Sequence, residues 1–287
     1  MADDVDPKKH FRLAFGIEYN GAKFNGWQYQ PDLPTIHGEI WQALLKLFGD
    51  SFTKNKKKGK SSSSFSEFLP SNIVAAGRTD RGVHAKNQVI HIDIPKKFQD
   101  RPDESWLRGM NNYLPNNIRV HWSAKVGDDF NARKSATLRH YRYYLQITKT
   151  PSAILQGIVG NYWQPLNINN IKYAANYLVG EHDFTTFRSS ECQARSAIRR
   201  IIEIRIHEID QPYRIIIFDF LADGFLHHMV RNIIGSLVEV GCGNQQPIWI
   251  NQILKAKNRT FAAKTFMPDG LYLWNVEYLY PINKLFN

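Results

Sequence analysis

Apolar residues alternate with polar ones over 11–19, where Phe11, Leu13, Phe15, Ile17 and Tyr19 share one parity. That is the period of a β-strand with one face in a core. After the loop "NGAKFNGWQYQPDLPT" the spacing changes. Ile36, Ile40, Leu44, Leu47 and Phe48 recur at three and four, which predicts an amphipathic helix over 36–49 closed near Gly49. Short strands are expected at 72–76 ("NIVAA") and 88–94 ("QVIHIDI"), then a helix at 105–113 and a strand at "IRVHWSAKV". From there the order restarts, with strand 141–147, helix 170–180, strands "RIIEIRIHEI" and "RIIIFDFLA", helix 227–240, a short helix near 248–256 and strand "LYLWNVEYL". Two α+β units with mainly antiparallel strand connections are the economical reading. The expected division is a tail over 1–10, a first domain over 11–130 and a second over 131–287, with the boundary near 124–134.

One segment has neither period. Residues 54–64, "KNKKKGKSSSS", contain no apolar side chain and cannot repay their ordering entropy by burial, so a mobile surface insertion is expected there. It is either a basic arm that touches a phosphate backbone or a solvated loop.

Composition adds a partner class. The chain has 43% hydrophobic residues over 287 positions, enough for a sizeable core, and its 37 basic against 26 acidic residues give a net charge of +11. Such a surface suits a polyanion, nucleic acid first, although an ordinary basic enzyme carries the same count. Cys192 and Cys242 stand far apart and support neither a disulfide framework nor a cysteine zinc site. The start "MADDVDPKKHF" lacks an apolar signal region, and no stretch approaches the roughly 18 apolar residues of a membrane span. A soluble, cytoplasmic protein without a membrane partner is expected.

Candidate chemistry concentrates in a few stretches. "AAGRTDRGVHA", 75–85, falls between two expected strands, and Gly77 and Gly82 allow its loop to turn sharply. Asp80, set among Arg78 and Arg81, stays ionised, as a nucleophile or electrostatic anchor must. A charged hairpin whose aspartate bonds its own turn accounts for the same residues. In "DGFLHHMVRNIIGSLVEVG", 223–241, Val230, Ile233, Ile234, Leu237 and Val238 mark an apolar helix face with Arg231 at its edge. His227 lies one turn before that arginine and Gly235 one turn after. Arg231 either meets a carboxylate or snorkels to solvent, and Gly235 lets another backbone or a ligand come close. His227 and His228 point about 100° apart on a helix and suit no single metal. In "RHYRYYLQI", Tyr141, Tyr143 and Leu145 share a strand face. That face is core or, with Arg139 and Arg142 interleaved, a platform for a stacked base beside phosphate-binding cations. "DDFNARKSA" (128–136) and "SSECQARSAIRR" (189–200) add Arg133, Lys134, Arg195, Arg199 and Arg200, together a basic path.

Read in order from about residue 11 to 280, "YNGAKFNGWQYQP", "TIHGEIWQAL", "AAGRTDRGVHA", "DDFNARKSATLRHYRYYL", "GEHDFTTFR", "CQARSAIR", "FLHHMVRNIIGSLVEVG" and "DGLYLW" resemble the tRNA pseudouridine synthases of the TruA type. The resemblance implies the pseudouridine synthase fold, two similar α/β-sandwich-like domains with mainly antiparallel sheets joined around a central catalytic cleft. It implies a homodimer, a tRNA anticodon arm as partner, and conversion of uridine to pseudouridine at positions 38, 39 and 40 without metal or organic cofactor. Residue by residue, Asp80 matches the family's catalytic aspartate, Tyr141 its active-site tyrosine and Arg231 the arginine paired with that aspartate. Leu271 matches an apolar residue of the uracil pocket, and Arg78 the arginine associated with base flipping. The segments 130–134 and 191–195, with Phe130, Arg133, Lys134, Cys192 and Arg195, match tRNA-contacting stretches. The insertion at 54–64 is longer than a minimal member carries. Two rivals are weaker: a noncatalytic RNA-binding module does not need Asp80, and phosphoryl transfer needs a magnesium-binding carboxylate pair that the sequence does not place near it.

Overall fold

The computed structural model describes residues 10–48 and 73–279. The expected insertion at 54–64 and nearly all of the expected tail lie outside the described residues. The chain divides into two compact units, one running up to Ala136 and resuming at Val276, the other spanning Thr137–Asn275.

The first unit runs β1 (His10–Tyr19), α1 (Ile36–Phe48), β2 (Val74–Ala75), β3 (His84–Pro95), α2 (Asp103–Tyr113) and β4 (Ile118–Val126). β1 lies between β3 and β4 and is antiparallel to both, while β2 pairs with β3. This central place explains why β1 is more buried than its alternation predicts: Leu13, Ala14, Phe15 and Ile17 are all fully buried. On β4, Trp122 stands opposite Gly16, so the position with no side chain of its own faces an indole. α1 starts where Thr35 caps it, its Oγ1 accepting the Gly38 N–H at 3.2 Å and its carbonyl the Glu39 N–H at 3.1 Å. The expected three-four spacing is buried through Ile36, Ile40, Leu44 and Phe48. At the far end of β1, Arg12 holds Asp93 of β3 with two hydrogen bonds of 2.7 and 2.8 Å. Its remaining nitrogen donates to the carbonyls of Asp128 and Phe130, each at 2.7 Å, so one guanidinium ties the turn after β4 to the sheet.

The second unit runs β5 (Ala136–Ile147), β6 (Gly160–Tyr162), α3 (Ile168–Asn176), β7 (Gly180–Asp183), β8 (Ile198–Ile209), β9 (Ile215–Ala222), α4 (Met229–Gly241), α5 (Trp249–Ala256) and β10 (Leu271–Tyr278), its first strand opening on Ala136 of the first unit and its last ending in residues of that unit. The strand order is β10–β5–β9–β8–β7, with β6 parallel to β5 and the β5–β9, β8–β9 and β7–β8 pairs antiparallel. The α+β class read from the sequence is the observed one. β6 and β7 were not foreseen, at three and four residues too short for a period to show. The helix expected over 170–180 ends at Asn176, and the one expected over 227–240 begins only at Met229, because His228 is left-handed at φ 63° and breaks the helical run. No helix among the described residues is long and apolar enough to cross a membrane.

β5 separates two kinds of surface. Tyr143 and Leu145 of one parity are fully buried, which gives that part of the expected platform over to core. On the other parity, Arg142 and His140 both bond the carboxylate of Asp219 on β9, at 2.6 and 2.7 Å. The Arg142 guanidinium also covers Trp274 of β10, 4.1 Å from its ring centre. Arg142 is therefore committed to a buried carboxylate and an indole on the face away from Tyr141, and the expectation that it serves a base platform as a phosphate-binding cation is corrected. Burial by itself raises the Asp219 pKa, but the hydrogen bonds from His140 and Arg142 outweigh it and hold the carboxyl below its ordinary range.

A carboxyl with a depressed folded pKa contributes stability that is complete above its unfolded value, about pH 4, and is lost as the pH falls toward the folded value. Asp219→Asn is expected to cost about 2–3 kcal/mol at neutral pH, because it leaves Arg142 partly buried without its counter-charge. In urea unfolding followed by circular dichroism, the difference between wild type and variant should shrink as the pH drops below about 4. A gap of constant size across that window would contradict the assignment.

Candidate active site

In the first unit the stretch around Asp80 joins β2 to β3 and is held through several of its backbone groups. The Gly77 carbonyl accepts Gln88 Nε2 at 2.6 Å, the Thr79 carbonyl accepts the Trp27 N–H at 3.0 Å and the Gly82 N–H donates to Phe24 at 3.3 Å. The Val83 N–H returns to the Asp80 carbonyl at 3.1 Å, which closes a tight turn over 80–83. Of the two glycines expected to give the loop its freedom, only Gly82 is left-handed, at φ 79°, as the third residue of that turn. Gly77 is not left-handed, and its part is the carbonyl that Gln88 anchors. Thr79 is buried, and its hydroxyl meets Tyr19 at 2.8 Å. Burial pushes the Tyr19 phenol up to about 12, so this contact keeps its proton. Asp80 is half-buried between the exposed residues Arg78 and Arg81. The loop thus presents a carboxylate from a rigid base, with cations on either side.

That base is supplied by residues 20–31, which the sequence marked only through the family resemblance. Trp27 and Phe24 bond the Asp80 loop through their backbones, and Gly26 faces it so closely that a Cβ would lie 2.9 Å from the Thr79 carbonyl oxygen.

Phe130, Arg133 and Lys134 share the turn that follows β4. Asn131 Oδ1 accepts the N–H groups of Arg133 and Lys134, both at 3.0 Å, and so curls the backbone. Arg133 and Lys134 project as exposed cations. Phe130 is half-buried, its ring 5.1 Å from Tyr278 and 6.0 Å from His91, so it backs the turn against the sheet. His91 Nδ1 accepts the Ala132 N–H at 3.0 Å. Burial lowers the imidazole pKa to about 4, with Arg12 adding to that effect and Asp93 opposing it, so the acceptor stays neutral.

The second unit holds Tyr141, Cys192, Arg195, Arg231 and Leu271. Tyr141 lies on β5 opposite Phe220 of β9, half-buried, with the Phe225 ring edge-on at 4.9 Å. Phe225 is a contact the sequence reading did not single out, although it sits in the stretch that carries Arg231. Arg139, the other cation interleaved with this strand, donates to the Asp223 carbonyl at 2.8 Å. Leu271 opens β10 and is buried. On α4 the expected apolar face is observed: Val230, Ile233, Ile234, Leu237 and Val238 are buried and Arg231 is half-buried at its edge. Arg231 Nε donates to the Phe266 carbonyl at 2.8 Å.

His227 and His228 precede α4 rather than lying on it, and their rings are 4.0 Å apart, which corrects the helical geometry expected for them. The His227 carbonyl accepts the Ser189 N–H at 3.0 Å, joining the 189–195 segment to the approach to α4. Within that segment Arg195 is exposed and Cys192 half-buried. Burial raises the Cys192 thiol pKa, but N–H bonds from Ala194 and His227 and the charge of Arg188 outweigh it, leaving the thiol below its ordinary value.

Residues 174–279 match a family model described as tRNA pseudouridine synthase. Over 267 residues the chain is 42% identical to a tRNA pseudouridine synthase A of Nitrosomonas eutropha, covering 93% of this chain and 87% of that protein. The protein of the same name from Dechloromonas aromatica is 42% identical over 261 residues, covering 91% and 90% of the two chains. That from Nitrosomonas europaea is 40% identical over 278 residues, covering 96% and 93%.

The His91 anchor makes the 130–134 turn sensitive to acid. A histidine with a depressed folded pKa costs stability wherever the opened state takes up a proton and the folded state does not, here between about pH 6.5 and about 4. The loss should reach about 3 kcal/mol at the bottom of that window. Hydrogen exchange of the Ala132 amide, corrected for the intrinsic rate, should accelerate as the pH falls through it, and His91→Gln should flatten the dependence. Equal acid acceleration in the variant would exclude His91 as the cause.

Proposed function

The chain belongs to the tRNA pseudouridine synthase A family, and from that premise we propose that it isomerises uridines 38, 39 and 40 of the tRNA anticodon arm with Asp80 as nucleophile. The enzyme is an isomerase that converts uridine to pseudouridine in tRNA. In that reaction the bond from ribose C1′ to uracil N1 breaks and one from C1′ to C5 forms. N1 gains a proton and C5 gives one up, so there is no net oxidation and no group enters from outside. A single anionic side chain suffices to start it, and Asp80 supplies that anion whether it attacks ribose C1′, attacks uracil C6 or removes a ribose proton.

The observation that carries the reading is the Asp80 loop, in which a half-buried carboxylate stands between two exposed arginines on a backbone fixed by Tyr19, Trp27 and Gln88. Arg231 pairs with Asp80 and keeps it ionised and oriented. Tyr141 stacks on the uracil and takes the C5 proton, with Phe225 bracing its ring, and Leu271 lines the base pocket. Extruding a stem uridine costs a few kcal/mol, which Arg78 offsets by entering the vacated space. Arg133, Lys134 and Arg195 meet phosphates, Phe130 holds the first of those segments against its sheet, and Cys192 lies in the second. The reaction needs neither metal nor organic cofactor. By the same resemblance the enzyme acts as a homodimer, in the cytoplasm, with no membrane partner.

Two measurements test this reading. Asp80→Asn and Asp80→Ala should bind tRNA with wild-type affinity and release no tritium from tRNA labelled at uracil C5; retained release would sink the assignment. Arg133→Ala and Arg195→Ala should each weaken tRNA binding and reduce the slope of log K against log salt by about one. An unchanged slope in both would show that those segments do not meet the RNA.

A further inference from the structure

α4 is stitched along its length by the segment that leads into β10. The Phe266 N–H donates to the Arg231 carbonyl at 3.2 Å while Arg231 Nε donates back to the Phe266 carbonyl at 2.8 Å. One turn on, a Cβ at Gly235 would lie 2.4 Å from the Lys264 carbonyl oxygen, so the glycine gives that backbone its path. Ser236 Oγ then accepts the Ala263 N–H at 3.3 Å.

The anchor of the segment is Asn232, fully buried and next in sequence to Arg231. Its Oδ1 accepts both Thr265 Oγ1 at 2.7 Å and Arg259 Nη2 at 3.1 Å, and its Nδ2 donates to the Phe187 carbonyl at 2.7 Å. Arg259 also reaches the Thr265 hydroxyl and the Ala262 carbonyl, both at 3.2 Å. Farther along, the Met267 carbonyl accepts Tyr143 OH at 3.0 Å, and the Pro268 carbonyl accepts the Leu271 N–H at 2.8 Å. One segment therefore connects the Arg231 guanidinium to Leu271, the residue that opens β10.

We propose that residues 259–270 form a strap that aims Arg231, and that Asn232, Arg259 and Thr265 are positioning residues for the reaction, acting through Arg231 rather than on the substrate. The proposal rests on the reading of Arg231 as the partner of Asp80. An arginine on a flexible stem samples many rotamers unless something holds it. The bond from Nε to a carbonyl that is itself held at Thr265 and Met267 fixes the guanidinium plane before substrate arrives. Buried hydrogen-bonded networks of this kind act as units, so loosening any member loosens the aim.

The test compares Thr265→Val, Thr265→Ser and Arg259→Lys in full-length enzyme, with and without Arg231→Ala. Thr265→Val, which removes one hydroxyl, and Arg259→Lys, which breaks the planar fork, should lower kcat about tenfold with the Kd for tRNA unchanged. The acid limb of kcat should move to higher pH, because a poorly aimed Arg231 stabilises the carboxylate less. Thr265→Ser keeps the hydroxyl and should restore both. On the Arg231→Ala background Thr265→Val should add a factor of less than about two.

Wild-type kcat in Thr265→Val alongside an impaired Arg231→Ala would overturn the strap while leaving the role of Arg231 intact. An equal loss on both backgrounds would also overturn it, by showing a structural effect that does not pass through Arg231. Wild-type turnover in Arg231→Ala would overturn the reading of Arg231 and the strap with it.

Discussion

A carboxylate that takes part in a reaction must be ionised and still, and burying it to hold it still would protonate it. On the proposed reading, in which Asp80 is that carboxylate, this chain assigns the two demands to neighbouring residues. Thr79 is buried and bonded through its hydroxyl to Tyr19 and through its carbonyl to Trp27, while Asp80, one residue on, is half-exposed. Stillness is supplied by neutral groups in the core and charge is kept at the surface. The close packing of Phe24, Gly26 and Trp27 under the loop and the left-handed Gly82 both serve to hold that one backbone segment.

The same division recurs in both units. Arg12 spends its guanidinium on Asp93 and two carbonyls, and the turn it holds presents Arg133 and Lys134 outward. His140 and Arg142 fix Asp219 inside the second sheet, while Tyr141 between them in sequence faces the other way. The described strands carry nine basic and eight acidic residues, so their charges nearly cancel. The chain's net charge of +11 is therefore carried mostly outside the described strands.

The parts of this arrangement that were legible in the sequence were those written in local spacing. The period of α1, the apolar face of α4 and the strand that carries Tyr141 all show themselves within a dozen residues, and the Asp80 loop was marked by its unusual composition. Contacts between distant residues left no such signal. Arg12 and Asp93 are 81 residues apart, Arg142 and Asp219 are 77, and Asn232 and Thr265 are 33, so neither hydropathy nor spacing connects them. For that reason Arg142 passed for an RNA-facing cation and Asn232 went unnoticed beside Arg231. His227 was misplaced because helix propensity is blind to a left-handed residue at His228, a conformation that asparagine or glycine would have announced. The site assignments came from family resemblance, since the residue types alone admitted a decorated turn, a snorkelling arginine and a packed tyrosine.

The strap along α4 is held by an amide, a hydroxyl and backbone carbonyls, and the cation that joins this network, Arg259, is bonded there to neutral acceptors. Contacts of that kind are hardly screened by dissolved ions, whereas exposed arginines meeting phosphate are screened within a Debye length. If the exposed arginines meet phosphate and the strap aims Arg231 as proposed, ionic strength acts on the two separately: added salt would loosen the grip on RNA and leave the strap in place, so that conditions which change how long the substrate stays would not change how the arginine is held.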